Sequence, residues 1–168
     1  FPGALAESAN TTPDAISIHS TLAGMLESGA KACAMEVSSI GLDQGRGAGL
    51  HFATAVFTNL TRDHLEYHGS MERYAAAKAR LFAAPGLRSI VINLDDTYGA
   101  QLYAELADKG LRRIGYTLTS ATQLHDPADE ILFAENLRID GNGLAFKLRM
   151  TQGDINVSAP LYGRFNAA

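Results

Sequence analysis

The chain has 168 residues, 46% of them hydrophobic, with five prolines and no tryptophan, enough for one globular domain with a core of its own. Fourteen Lys and Arg against 18 Asp and Glu leave a formal net charge of −4, and no basic stripe runs along the chain, so a surface for nucleic-acid phosphates is not expected. The lone cysteine, Cys33, argues against a disulfide framework and fits a reducing cytoplasm, and no apolar run approaches the roughly 18 residues of a membrane span.

The start, FPGALAES, has neither an initiator Met nor a basic n-region and does not read as a signal peptide. Together with an end at RFNAA, soon after a strand signal, it suggests a piece of a longer protein. Pro13 to Ser28 reads as a helix, with Ile16, Leu22, Met25 and Leu26 recurring at helical spacing. CAMEVS (Cys33–Ser38) reads as a strand buried on both faces, with Cys33 in the core, and ATAVFTNL (Ala53–Leu60) as a second. Ser70 can cap a helix through Phe82. SIVINL (Ser89–Leu94) is a third buried strand, DDTYGAQLYAELADKG (Asp95–Gly110) a helix closed by a glycine, and RRIGYT (Arg112–Thr117) a fourth strand. From Glu130 the runs EILFAENLRID, GLAFKLRM and DINVSAPL follow with only short turns, the turn GNG joining the first two. The expected fold class is α/β: a three-layer, mostly parallel sheet flanked by helices over residues 1–125, plus a small antiparallel sheet over 126–165.

In open parallel sheets ligands collect at the carboxyl ends of the strands. There the chain places Glu36 and Ser38 after CAM, Thr58, Asn59 and then Asp63, His64, Glu66 and His68 after AVF, and Asn93, Asp95 and Asp96 after SIVI. Such a set suits a cation and phosphates. Each residue also has an ordinary reading. Glu36 can be solvated at a strand end, and His64 can line a loop. Asp63, Glu66 and His68 can be solvated loop residues, and Asp95 and Asp96 can start a helix.

Lys78 is the anomaly. Wound at about 100° per residue, the 70–82 helix puts Met71, Tyr74, Leu81 and Phe82 on one side, with Lys78 in their midst. The lysine can snorkel, its stem buried and its amine in water. A lysine held out of water instead becomes partly a neutral amine, which can take up carbon dioxide. The resulting carbamate is a hard oxygen ligand, and with Glu36 and His64 it would make a Mg²⁺ site.

The segments NTT (Asn10–Thr12), MEVSSIGLDQGR (Met35–Arg46), FTNLTRDHLEYHG (Phe57–Gly69), YAAAKARLF (Tyr74–Phe82), INLDD (Ile92–Asp96) and YGRFN (Tyr162–Asn166) come in the order seen in the Mur ligase family, which the chain resembles over nearly its whole length. EVSS followed by Q-x-R resembles the branch that adds the third residue of the peptidoglycan stem peptide, more than the sister ligases or folylpolyglutamate synthetase.

The resemblance implies the central, P-loop NTPase-like domain of a three-domain cytoplasmic enzyme, with its own N- and C-terminal domains as partners. It implies ATP and Mg²⁺, a UDP-muramoyl dipeptide ending in D-glutamate, an acyl-phosphate intermediate, and diaminopimelate or lysine as the third amino acid. Lys78 then resembles a carbamylated lysine, catalytic together with His64. Glu36, His64 and modified Lys78 resemble the metal ligands. Asn10, Thr11, Thr12, Ser38, Gln44 and Arg46 resemble the contacts to the muramoyl substrate, and Asn166 a residue near the adenine.

The family's G-x-x-G-K-T phosphate loop is nowhere in the chain, so its strand is expected to be missing and the chain alone to be inactive. Ile40 stands where many relatives carry histidine, and the last motif stops at Asn166-Ala167-Ala168. Two other readings compete. A metal-dependent hydrolase would use Glu36, Asp63, His64 and His68, and a non-catalytic binding domain would need none of these residues for activity.

Overall fold

A computed structural model describes residues 10–118, 130–163 and 166–167. The described residues fall into two compact units, one within Phe1–His51 and Arg62–Pro85, the other within Phe52–Thr61 and Gly86–Ala168.

The second unit is built on a mixed sheet of six strands in the order β1 to β6: β1 (Thr54–Phe57), β2 (Ser89–Asn93), β3 (Arg112–Thr117), β4 (Glu130–Asp140), β5 (Gly143–Arg149) and β6 (Ile155–Ala159). The first four run parallel, and β4, β5 and β6 are antiparallel. The α/β class and the parallel-then-antiparallel order are as expected. The small antiparallel sheet is continuous with the parallel one, because β4 is 11 residues long and pairs with β3 from Glu130 to Phe133 and with β5 from Phe133 to Asp140. A register shift between Glu135 and Arg138, with Asn136 at φ 58°, interrupts that second ladder. The expected boundary at residues 125 and 126 lies outside the described residues.

The core of this unit follows from which strands have neighbours on both sides. Ile90 and Ile92 of β2 are fully buried, whereas Val56 of the edge strand β1 is 54% exposed. Ile92 lies in register with Phe57 on one side and Gly115 on the other, and the missing side chain of Gly115 makes room for Leu94 and Ile131. Helix α5 (Thr97–Glu105) packs against β2, and a 3-10 turn, Ala107–Lys109, ends at Gly110 in the left-handed region.

The carboxyl edge of the parallel strands is tied by side chains from INLDD. Asn93 Nδ2 donates to the Thr58 carbonyl at 2.8 Å. Asp95 Oδ2 accepts the Leu118 N–H at 2.6 Å and its other oxygen accepts the Thr117 hydroxyl. Asp96 caps α5 by accepting the Gly99 N–H at 2.9 Å, and its second oxygen accepts the Leu60 N–H, also at 2.9 Å. The helix-start reading of Asp96 therefore holds, with an added role as a latch on the β1 exit. Losing both acceptors costs a helix cap, about 1–2 kcal/mol, and leaves a second donor unsatisfied. For the complete protein, Asp96→Ala is expected to lower the melting temperature by roughly 3–8 °C. Asp96→Asn, which keeps one oxygen acceptor, should recover part of that loss in the same thermal scan.

The first unit is helical. Asp14 starts α1 (Ala15–Glu27), its carboxylate accepting the Ser17 N–H at 3.0 Å and the Ser17 hydroxyl at 2.6 Å. The helix is where the spacing put it, but its inward face is not. Ile18 is the buried residue, with Leu22 and Met25 half-buried, while Ile16 is 83% and Leu26 71% exposed. Ile18, Leu22 and Met25 make an i, i+4, i+7 stripe as good as the expected one, and periodicity alone does not choose between two overlapping stripes. Two short helices were not foreseen: α2 (Ser39–Asp43), capped by Ser38, and α3 (Leu65–His68). Helix α4 (Met71–Ala79) is capped by Ser70 and continues into a 3-10 turn, Arg80–Ala83.

The expected strand Cys33–Ser38 is corrected. The segment joins no ladder of the sheet, and Cys33 is exposed rather than in the core. A strand is held by its backbone partners, so an apolar run with β-formers stays irregular when no neighbour takes up its N–H and C=O groups.

Candidate functional site

Three of the sequence-selected residues, Glu36, His64 and Lys78, lie within the helical unit. Helix α4 presents Lys78 four residues after Tyr74, so the two share a face. Tyr74 is buried, at 6% exposure, and Lys78 is half-buried with its Nζ 5.2 Å from the Tyr74 ring centroid. The amine thus lies within cation–π range of an aromatic face. Burial, followed by the charge of Asp63, raises the Tyr74 phenol pKa above its ordinary value.

His64 meets the same ring from another side, edge-on with centroids 6.0 Å apart. It opens α3 in the left-handed region, at φ 52° and ψ 24°, a conformation that non-glycine residues adopt sparingly. Its own N–H donates to Asp63 Oδ1 at 2.8 Å, and its ring nitrogens lie 3.6 Å from Asp63 Oδ2 and 4.0 Å from Glu66 Oε1. Lys78 and His64 therefore converge on one tyrosine, a residue the sequence reading placed on the apolar side without giving it a role.

His68, read from sequence as a solvated loop residue, is instead buried at 6% exposure. It stacks on Tyr74 at 5.2 Å and 20°, meets Tyr67 edge-on at 4.8 Å, and sits 3.0 Å from the Ser39 hydroxyl. The signal that could have found it is YHG: a short helix closed by Gly69 at φ 76° turns its last residue inward against the next helix.

Glu36 is exposed, and its backbone carbonyl accepts the Thr12 hydroxyl at 3.3 Å. Thr12, Ser38, Gln44 and Arg46 form one hydrogen-bonded cluster. Thr12 Oγ1 accepts the Ser38 N–H at 2.8 Å, and Ser38 Oγ accepts the Gly41 N–H at 3.1 Å. Arg46 Nη1 donates to the Thr12 carbonyl at 2.6 Å, while its Nε and Nη2 donate to Gln44 Oε1 at 2.9 and 2.7 Å. Three of the five guanidinium N–H donors are so engaged, and the fork is held in one orientation. Asn10 and Thr11 are exposed beside this cluster in sequence. Asn166, in the other unit, is exposed and donates through Nδ2 to the Tyr162 carbonyl at 2.7 Å.

Among the described residues, no group of three or more His, Cys, Asp or Glu side chains could hold a metal. Glu36, Asp63, His64 and His68, the set a hydrolase would need, do not assemble into one, and the ring of His68 is turned to Ser39. A hard divalent cation asks less of the protein. Mg²⁺ binds through one or two carboxylates and keeps several waters. The exposed carboxylate of Glu36 and the half-exposed imidazole of His64 are donors of the type such an ion accepts. No described helix is long and apolar enough to cross a membrane.

The family model described as Mur ligase middle domain matches residues 2–168. The chain is 49% identical over 166 residues to a UDP-N-acetylmuramoyl-L-alanyl-D-glutamate--2,6-diaminopimelate ligase of Ectopseudomonas mendocina, covering 99% of this chain and 32% of that protein. Its identity to the ligase of the same name from Pseudomonas aeruginosa is 51% over 166 residues, with the same coverage. A solved structure of a ligase of this name superposes with a TM-score of 0.80 at 38% identity, covering 92% of this chain and 30% of that one. The chain spans about a third of the length of the curated relatives it matches. It belongs to the Mur ligase family, through that family's middle domain.

Proposed function

We propose that residues 1–168 are the central domain of a three-domain cytoplasmic enzyme that joins the third amino acid to UDP-MurNAc-L-Ala-D-Glu at the expense of ATP. Identity of 49–51% over almost the whole chain to ligases named for this substrate carries the reading, and those names favour diaminopimelate over lysine. The D-glutamate carboxylate takes the γ-phosphoryl group to become an acyl phosphate. The amine of the incoming amino acid then attacks the acyl carbon and phosphate leaves.

The residues divide this work. Arg46, its fork held by Gln44 and the Thr12 carbonyl, can clamp an anionic group of the muramoyl substrate. Asn10, Thr11 and Ser38 add neutral hydrogen bonds that set register. Glu36, His64 and a carbamylated Lys78 would hold Mg²⁺. Bound there, the ion would screen the repulsion between ATP and the carboxylate and the charge that develops on transfer. Asn166 would lie by the adenine. The phosphate-cradling G-x-x-G-K-T loop is not among these residues, so residues 1–168 alone should not turn over.

The complete protein, given UDP-MurNAc-L-Ala-D-Glu, ATP and diaminopimelate, should yield one tripeptide product by mass spectrometry and one ADP per product. Lysine in place of diaminopimelate should yield far less. ADP release that ignores the dipeptide, or no amide product with either amino acid, would sink the reading.

A further inference from the structure

His68 takes no part in the binding and transfer steps proposed above, yet it is buried at 6% exposure. Its Nε2 lies 3.0 Å from the Oγ of Ser39, itself only 2% exposed. The imidazole stacks on Tyr74 at 5.2 Å and 20°. Each partner leads to a different part of the site. Ser39 opens α2 directly after Ser38, and Gln44 caps the other end of that helix. Tyr74 precedes Lys78 by about one turn of α4, and the lysine Nζ is 5.2 Å from the same ring centroid. His68 therefore stands between the segment proposed to touch the muramoyl substrate and the helix that carries the lysine.

A second tie joins α2 to the turn after α4. The Asp43 carboxylate takes Arg80 Nη1 at 3.0 Å and the Tyr67 hydroxyl at 3.0 Å. Its Asp43 and Arg80 side chains are 36% and 55% exposed, and ion pairs in water hold little. The bond between His68 and Ser39 is enclosed, where losing one partner leaves the other unsatisfied.

We infer that His68 is a positioning residue: through the Ser39 hydroxyl and the Tyr74 ring it fixes α2, with its muramoyl contacts, relative to Lys78. The inference rests on the proposed roles of Lys78 and of Ser38, Gln44 and Arg46. Groups held by separate segments act together only while those segments stay in register, and a displacement of about 1 Å costs on the order of 100-fold in rate. Losing the His68 bond should leave the substrate bound and slow its reaction.

The test uses the complete protein with UDP-MurNAc-L-Ala-D-Glu, ATP and diaminopimelate. Product formation gives kcat, and calorimetry without ATP gives the affinity for the dipeptide. Rates are compared well below the lowest melting temperature in the set, where a loss of stability alone leaves kcat unchanged. His68→Phe keeps a ring beside Tyr74 and removes the hydrogen bond, and Ser39→Ala removes the same bond from its other end. Each should lower kcat by roughly 10–100-fold, with little change in dipeptide affinity. The double variant should be no slower than the slower single one, because both changes remove one bond. Should His68→Phe fail to fold, Ser39→Ala carries the test alone, with the same split between rate and affinity.

A parent-level kcat in either folded variant, additive losses in the double variant, or a fall in dipeptide affinity as large as the fall in rate overturns the inference. Lys78→Ala separates the two levels. If it ligates like the parent, the role of Lys78 is wrong and the inference falls with it. If it collapses while His68→Phe and Ser39→Ala keep full rates, only the role of His68 falls.

Discussion

Lys78→Ala in the complete protein is expected to collapse ligation by more than about 100-fold, beyond what the loss of an outer-shell partner costs, and added acetate or propionate should restore part of the rate. Lys78 is half-buried on α4 with its amine against the Tyr74 ring, so truncation leaves a slot lined by an aromatic face. His64 meets the same ring at 6.0 Å. A short carboxylate entering that slot puts an oxygen anion near where the carbamate would have been. Lys78→Arg is the stringent companion. It keeps the positive charge and the reach, but a guanidinium stays protonated and does not add carbon dioxide. It should be as inactive as the alanine variant and, its slot being filled, should resist rescue. Ligation near the parent rate in Lys78→Ala would show the carbamate role to be wrong. A collapse that no carboxylate relieves would mean the lysine acts as a cation instead.

That lysine was legible in the sequence because a helical wheel exposes a charge among apolar neighbours, and α4 is long enough for the wheel to be meaningful. The same holds for α1, α5 and all six strands, each of which carries a regular pattern between turn residues. What escaped falls into two kinds. Helices α2 and α3 have five and four residues, too short for periodicity, and are decided by Ser38 as a cap and by left-handed turns at His64 and Gly69. Cys33–Ser38 failed for the opposite reason: its composition is that of a buried strand, but pairing is a tertiary property that composition does not contain.

The candidate site divides the same way. Glu36, His64 and Lys78 could be picked as residue types, and the family resemblance marked the residues around Arg46. Lys78 meets Tyr74 within α4, but that His64 and His68 gather on the same ring follows from an edge contact and a stack with a separate segment. Nor does NTT say which of its two threonines is enclosed. Thr12 is, through a hydroxyl 24 residues from one partner and 26 from the other.

Burial, rather than membership of the sheet, should decide what a core substitution costs. Ile92 and Val56 are both β-branched residues of parallel strands, one on β2 and one on β1. Ile92 has no exposed surface and lies between Phe57 and Gly115 in register, whereas Val56 is 54% exposed on the edge strand. Ile92→Ala removes several carbons from a side chain with no exposed surface, and the cavity left behind adds to the lost transfer free energy. A loss of about 2–5 kcal/mol is expected, or roughly 4–20 °C in melting temperature for a unit of this size. Val56→Ala should cost no more than about 1 kcal/mol, the span of strand preference, since most of its side chain is in water already. Thermal scans and urea titrations of the two variants beside the parent protein measure the difference. Similar losses at both positions would mean that a neighbouring part of the complete protein covers the β1 edge and buries Val56 as deeply as Ile92.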